Sequence, residues 1–169
     1  MPNAINHVAI SVTDIKLAIQ WYRDILGMSL LMEPVEISAT PSRHEDEHIS
    51  NIVRKVFGPK LGRFLICHMR SSNGIGIELF QFLEPKGERR LNDSNFEFWK
   101  TGFFHIAITE PNIEGLIERI SSSGGVKRTE VMELVPGTGK KICFCEDPFG
   151  NVIEIYSHSY EEFWANVRA

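Results

Sequence analysis

His7-Val-Ala-Ile-Ser-Val12 recurs as His105-Ile-Ala-Ile-Thr109, and Gly76-Ile-Glu-Leu-Phe80 recurs as Val152-Ile-Glu-Ile-Tyr156. A His opens each copy of the first segment, and a Glu centres each copy of the second. All four runs are short and carry β-branched or aromatic residues in alternation, so they read as strands. Between them lie helical patterns. Asp14 is placed to cap a helix with apolar positions Ile15, Ala18, Ile19, Tyr22, Ile25 and Leu26, and Gly27 ends it. In the second copy Pro111 and Asn112 precede Ile113, Leu116, Ile117 and Ile120, and Gly124-Gly125 stops the helix. Strand, helix, then further strands, twice over, is a repeated βαβββ unit within an α+β fold.

The copies differ in length. His7 and Glu78 stand 71 positions apart, His105 and Glu154 only 49, so the first copy carries 22 extra residues. The excess falls between Val35 and Gly62. There Ile49, Ile52, Val53, Val56 and Phe57 are helically spaced before Gly58-Pro59. The expected organisation is a first module over 1–83 with an inserted helix near 45–58, a linker over 84–100, a second module over 101–158 and a C-terminal helix over 159–169. The inserted helix has two readings: it lines a site, or it extends the outer core. Phe96, Phe98 and Trp99 at the end of the linker, and Tyr160, Phe163, Trp164 and Val167 in the tail, are expected to pack on something.

Strand parity turns the repeat into chemistry. Val8 and Ile10 face away from His7, Ile106 and Ile108 from His105, Ile77 and Leu79 from Glu78, and Ile153 and Ile155 from Glu154. The aliphatic sides can pack on helices, which puts the helices on the outer face and leaves the His and Glu side chains on the opposite one. Ala9 and Ala107, two residues after each His, leave room there. A carboxylate in mid-strand among apolar neighbours is costly unless paired or metal-bound, and two on one face repel. Two imidazoles and two carboxylates form a ligand set for one divalent metal: Zn, Ni, Co, Fe or Mn. His7, Glu78, His105 and Glu154 are therefore the candidate metal ligands. Phe80, Phe82 and Tyr156 share parity with the glutamates. Phe80 and Tyr156 are candidate walls of a substrate pocket, and core aromatics is the competing reading.

Composition narrows the classes. The 169 residues carry a net charge of −4, which argues against nucleic acid as a partner. No apolar run approaches the roughly 20 residues of a membrane span. The start lacks the charged and apolar regions of a signal peptide. The three cysteines Cys67, Cys143 and Cys145 make no disulfide framework. A cytoplasmic location with reduced thiols is the expectation.

The His-Val-Ala-Ile opening, the Glu-Leu-Phe strand, the His105-Ile-Ala-Ile run and the ending Glu146-Asp-Pro-Phe-Gly-Asn-Val-Ile-Glu154 resemble the vicinal oxygen chelate superfamily. That family holds glyoxalase I, methylmalonyl-CoA epimerase, extradiol dioxygenases and fosfomycin or bleomycin resistance proteins. The resemblance covers nearly the whole chain apart from the insert and the tail, and the Asp147-Pro-Phe-Gly-Asn151 turn is its most specific element. It implies paired βαβββ modules curled as a mixed sheet around a metal, with His7, Glu78, His105 and Glu154 matching a glyoxalase I-like ligand set. It further implies a small-molecule substrate, a homodimer, and a metal-dependent lactoylglutathione lyase-like lyase or isomerase. In such an enzyme Glu154 or Glu78 removes a proton α to a carbonyl and the metal stabilises the enediolate. The alternatives are an Fe(II) ring-cleaving dioxygenase, which a full second Glu disfavours, and an antibiotic-binding resistance protein without turnover.

Other motifs carry less. His44-Glu-Asp-Glu-His48 matches the metalloprotease pattern H-E-x-x-H, but its setting reads as an exposed loop or the first turn of the inserted helix. His68 and His158 read as structural or as supports of the site. Arg43, Arg63, Arg70, Lys140 and Lys141 are candidate anchors for an acidic substrate, with nothing in the sequence to rank them.

Overall fold

The computed structural model describes residues 3–41, 43–89 and 98–165. The chain divides into two compact units, Met1–Arg89 and Arg90–Ala169. In the first, strand β1 (His7–Ser11) leads to helix α1 (Ile15–Asp24), strand β2 (Ser29–Ser38), a 3-10 turn over His44–Asp46, helix α2 (Glu47–Phe57), and strands β3 (Arg63–Arg70) and β4 (Gly76–Glu84). In the second, β5 (Ile106–Thr109) leads to α3 (Ile113–Ser122), β6 (Val126–Lys127), β7 (Met132–Val135), β8 (Lys140–Glu146), β9 (Val152–Tyr156) and α4 (Tyr160–Trp164). The architecture is α+β with one mixed sheet per unit. The first sheet runs β1-β4-β3-β2, and the second runs β5-β9-β8-β6 with β7 also paired to β8. β6 and β7 together occupy the place of β2 in the repeat.

The duplication is visible in the pairing. β1 lies parallel to β4 with Ala9 opposite Glu78, and β5 lies parallel to β9 with Ala107 opposite Glu154. The helix starts follow local chemistry. The Asp14 carboxylate accepts from the backbone N–H groups of Lys16 and Leu17, and the Asn112 side chain accepts from Gly115 N–H. Gly27, at φ 68°, takes the left-handed conformation that lets the chain leave α1.

Parity sorts the core as expected on the outer face. Ile77, Leu79, Cys67 and Met69 are buried on the α1 side of the first sheet, and Gln81 on the same face accepts from Ile15 N–H. Ile153, Ile155, Cys143 and Cys145 are fully buried on the α3 side of the second. The three cysteines are free.

The expectation that the helices lie on the outer face holds for α1 and α3 only. The inserted helix α2 sends Val53 and Phe57 into Phe64, Phe80 and Phe82, which share parity with Glu78. Likewise α4 sends Phe163 against Ile142 and Tyr156, on the parity of Glu154. Both helices cover the His/Glu face because that face also carries large aromatics, which water solvates poorly. The tail helix is shorter than expected, ending at Trp164; Val167 lies outside the described residues, as does Phe96. Trp99 does not pack as expected and is 79% exposed, whereas Phe98 stacks on Phe104. Among the described residues no helix is long and apolar enough to cross a membrane.

Candidate metal centre

Each unit brings one His and one Glu together. In the first, His7 Nε2 lies 3.6 Å from Glu78 Oε2. Gly76 makes that approach feasible, since a Cβ there would sit 2.9 Å from the His7 Cβ. His7 Nδ1 donates to Asn6 Oδ1 at 2.7 Å. That bond places a proton on Nδ1 and leaves Nε2 facing the carboxylate. The ring nitrogen and the carboxylate face one another across a gap longer than a hydrogen bond, and both are donor types that a divalent cation accepts.

In the second unit His105 Nε2 lies 3.1 Å from Glu154 Oε2. His105 precedes β5 by one residue, and the ring edges of Phe104 and Phe144 hold it, with centroids at 4.7 and 5.7 Å. Its Nδ1 is buried without a hydrogen-bond partner among the described residues. Only 9% of the Glu154 side chain is exposed, against 21% for Glu78. Burial pushes the Glu154 carboxyl above its ordinary range, while the nearby His105 charge and the Tyr156 hydroxyl pull it down.

The turn that aims Glu154 is the Asp147-Pro-Phe-Gly-Asn151 stretch. Asp147 is fully buried; its Oδ1 accepts from the N–H groups of Phe149 and Asn151, and its Oδ2 from Asn151 Nδ2, all within 2.9 Å. Its sequence signature is thus a device for starting β9 in one register.

The other expected residues fall as follows. Phe80 and Tyr156 are 8% and 9% exposed, each two residues beyond a glutamate and each beneath a helix-borne Phe. Tyr156 in addition hydrogen-bonds Glu154, and that carboxylate together with burial raises the phenol above its ordinary range. His44 is exposed and paired with Glu47 at 3.0 Å, so His44-Glu-Asp-Glu-His48 is a surface turn entering α2. Arg63 bridges Glu36 and Glu84, Lys141 pairs with Glu114, Arg43 with Glu45, and Lys140 donates to carbonyls at the end of α4. His158 meets Ser157 at 2.8 Å.

Sequence reading left His68 without a specific role. It lies directly opposite Glu78 in the β3–β4 pairing, with Nδ1 3.4 Å from Glu78 Oε1, so each carboxylate oxygen of Glu78 faces an imidazole. The parity of β3 could have placed it, because Phe64, Ile66 and His68 share a face. At the matching position of the second sheet stands Phe144, opposite Glu154. Among the described residues no group of three or more His, Cys, Asp or Glu side chains is placed to hold a metal ion. Glu78 stands between two imidazoles, and Glu154 beside one.

A family model described as the Glyoxalase/Bleomycin resistance protein/Dioxygenase superfamily matches residues 4–155. The chain belongs to that superfamily. Solved structures share its fold. A glyoxalase family protein from Bacillus cereus superposes with a TM-score of 0.67 at 19% identity, covering 89% of this chain and 91% of that one. Glyoxalase I from Zea mays gives 0.59 at 22% identity, over 92% of this chain and 44% of that one. Fosfomycin resistance protein FosX from Mesorhizobium loti gives 0.57 at 12% identity, over 98% and 100%. A search of curated proteins finds no match. Superfamily members commonly use a divalent metal, and the imidazole–carboxylate pairs found here fit one.

Proposed function

We propose that His7, Glu78, His105 and Glu154 together bind one divalent metal ion and that the protein is a glyoxalase I-like lyase or isomerase acting on a small chelating substrate. The observation that supports this reading most is the repeat of one device: in each unit a His beside a Glu, opposite an exposed Ala, on the face away from α1 or α3. Zn, Ni, Co, Fe or Mn suits this donor set. When bound, the metal supplies Lewis-acid stabilisation of negative charge on a substrate oxygen.

The chain's own residues supply the rest. Glu154 is the proposed base, because burial raises its carboxyl above its ordinary range and makes it the better proton acceptor. The Tyr156 hydroxyl and His105 Nε2 fix its orientation. Glu78, held between His7 and His68, is the alternative base. Phe80 closes the apolar end of one face beneath α2, and Tyr156 that of the other beneath α4. The protein is expected to be a homodimer of the cytoplasm, its four ligands meeting within one chain or shared between two by module exchange. Exposed Trp99, Phe103 and Tyr160 are consistent with association.

The test is turnover of the hemithioacetal of methylglyoxal and glutathione. Activity that chelation abolishes, that added metal restores and that Glu154→Gln lowers by about 10²-fold or more is the expected result. Oxygen uptake with a catechol would instead favour the dioxygenase reading. FosX matches end to end, which keeps a resistance function as the second reading; its mark is drug binding or modification with no turnover of the hemithioacetal.

A further inference from the structure

On the His/Glu face of the first sheet the residues fall in rows. Pairing sets His7 beside Gly76 and Gly76 beside Arg70; the next row is Ala9, Glu78 and His68. Arg70 shares parity with His68 and so projects from the same face, one row from Glu78. It stands two strand spacings from His7, roughly 10 Å, across a Gly that contributes no side chain. The other cationic candidates, Arg43, Arg63, Lys140 and Lys141, are engaged with carboxylates or helix carbonyls. Arg70 is exposed, and its guanidinium has no partner among the described residues. Glu78, one row away, directs its two carboxylate oxygens at the imidazoles of His7 and His68.

The second unit shows what the duplication would otherwise place there. The position matching Arg70 is Glu146, buried and ion-paired to Arg128, and the position matching His68 is Phe144. The half-site at Glu154 is therefore closed by an aromatic ring and a buried ion pair, whereas the half-site at Glu78 is more exposed and has a guanidinium beside it. We infer that Arg70 binds an anionic group of the substrate, a carboxylate or another planar or tetrahedral anion, a few bonds from the atoms that chelate the metal. The substrate is thus an acid that lies with its charged end over β3 and β4. A guanidinium fork suits this task, giving charge and direction together.

This inference rests on the metal reading, and two hydroxamates separate them. Protein loaded with Ni2+ is titrated calorimetrically with acetohydroxamate, which can only chelate, and with succinic monohydroxamate, which adds a carboxylate. The anionic probe is expected to bind about tenfold more tightly, the scale of one charge-assisted pair. Arg70→Gln brings the ratio close to one, Arg70→Lys keeps part of it, and the exposed Arg43→Gln leaves it intact. Raising the salt concentration reduces the ratio in the wild type. A ratio that survives Arg70→Gln, or a wild type that binds both probes equally, overturns the role of Arg70 and leaves the metal site standing. Failure of both probes to bind overturns the metal reading, and this inference with it. Because Arg70 is an exposed side chain, its substitution costs little stability, and a melt of each variant checks that it is folded.

Discussion

Glu154 is held by opposing forces. It is a mid-strand carboxylate with Ile153 and Ile155 on either side, both fully buried, and desolvation penalises its charged form. His105 and Tyr156 only partly offset that penalty. In metal-free protein the folded state therefore holds the Glu154 proton more tightly than the unfolded chain does. The stability this proton confers is complete below the unfolded value of about 4.3 and is lost as pH rises through the folded value. The expected outcome, read from thermal melts in chelator, is that Glu154→Gln gains on the wild type as pH increases from 4 to 7. A difference that stays constant across that range contradicts the assignment. Asp147 makes the complementary case. Its carboxylate accepts three hydrogen bonds that shape the turn into β9, so Asp147→Ala should cost about 2–4 kcal/mol in urea unfolding and disturb Glu154 through its strand.

The elements show which features a single chain makes legible. Strand parity is local, with a period of two, so His7 and Glu78 could be assigned to one face and Ile77 and Leu79 to the other from the letters alone. Caps are local too: Asp14 and Asn112 act within three residues of themselves. The side on which α2 and α4 dock is not local. Each has an apolar stripe, but the stripe does not name its partner, and the deciding fact is that Phe64, Phe80, Phe82 and Tyr156 sit on the site face. His68 was hidden for the same reason, since its neighbour Glu78 comes from another strand. Phe163 is fully buried against Ile142 and Tyr156. Phe163→Ala should destabilise the protein by about 3–5 kcal/mol, and by loosening Tyr156 it should also weaken metal binding. Phe57→Ala, at a position 40% exposed, should cost about half as much by equilibrium unfolding.

For the whole molecule, the superfamily assignment and the α+β duplication agree, and what distinguishes this chain lies in its unrepeated parts: the inserted helix, the tail helix, and the exchange of Phe144 and Glu146 for His68 and Arg70 in the first half. A metal bound only by the folded protein stabilises it by mass action, so the melting temperature should rise steadily with free metal concentration. It should do so much less in His7→Ala or His105→Ala. Equilibrium sedimentation is expected to give twice the chain mass; a monomer at working concentration would count against the homodimer. The central claim is that two His/Glu pairs, one from each copy of the repeat, serve a single ion. Metal analysis of the purified protein beside Glu78→Gln and Glu154→Gln tests it most directly. The account predicts one divalent ion per chain in the wild type and a clear loss in each variant; metal content unchanged by both substitutions would contradict it.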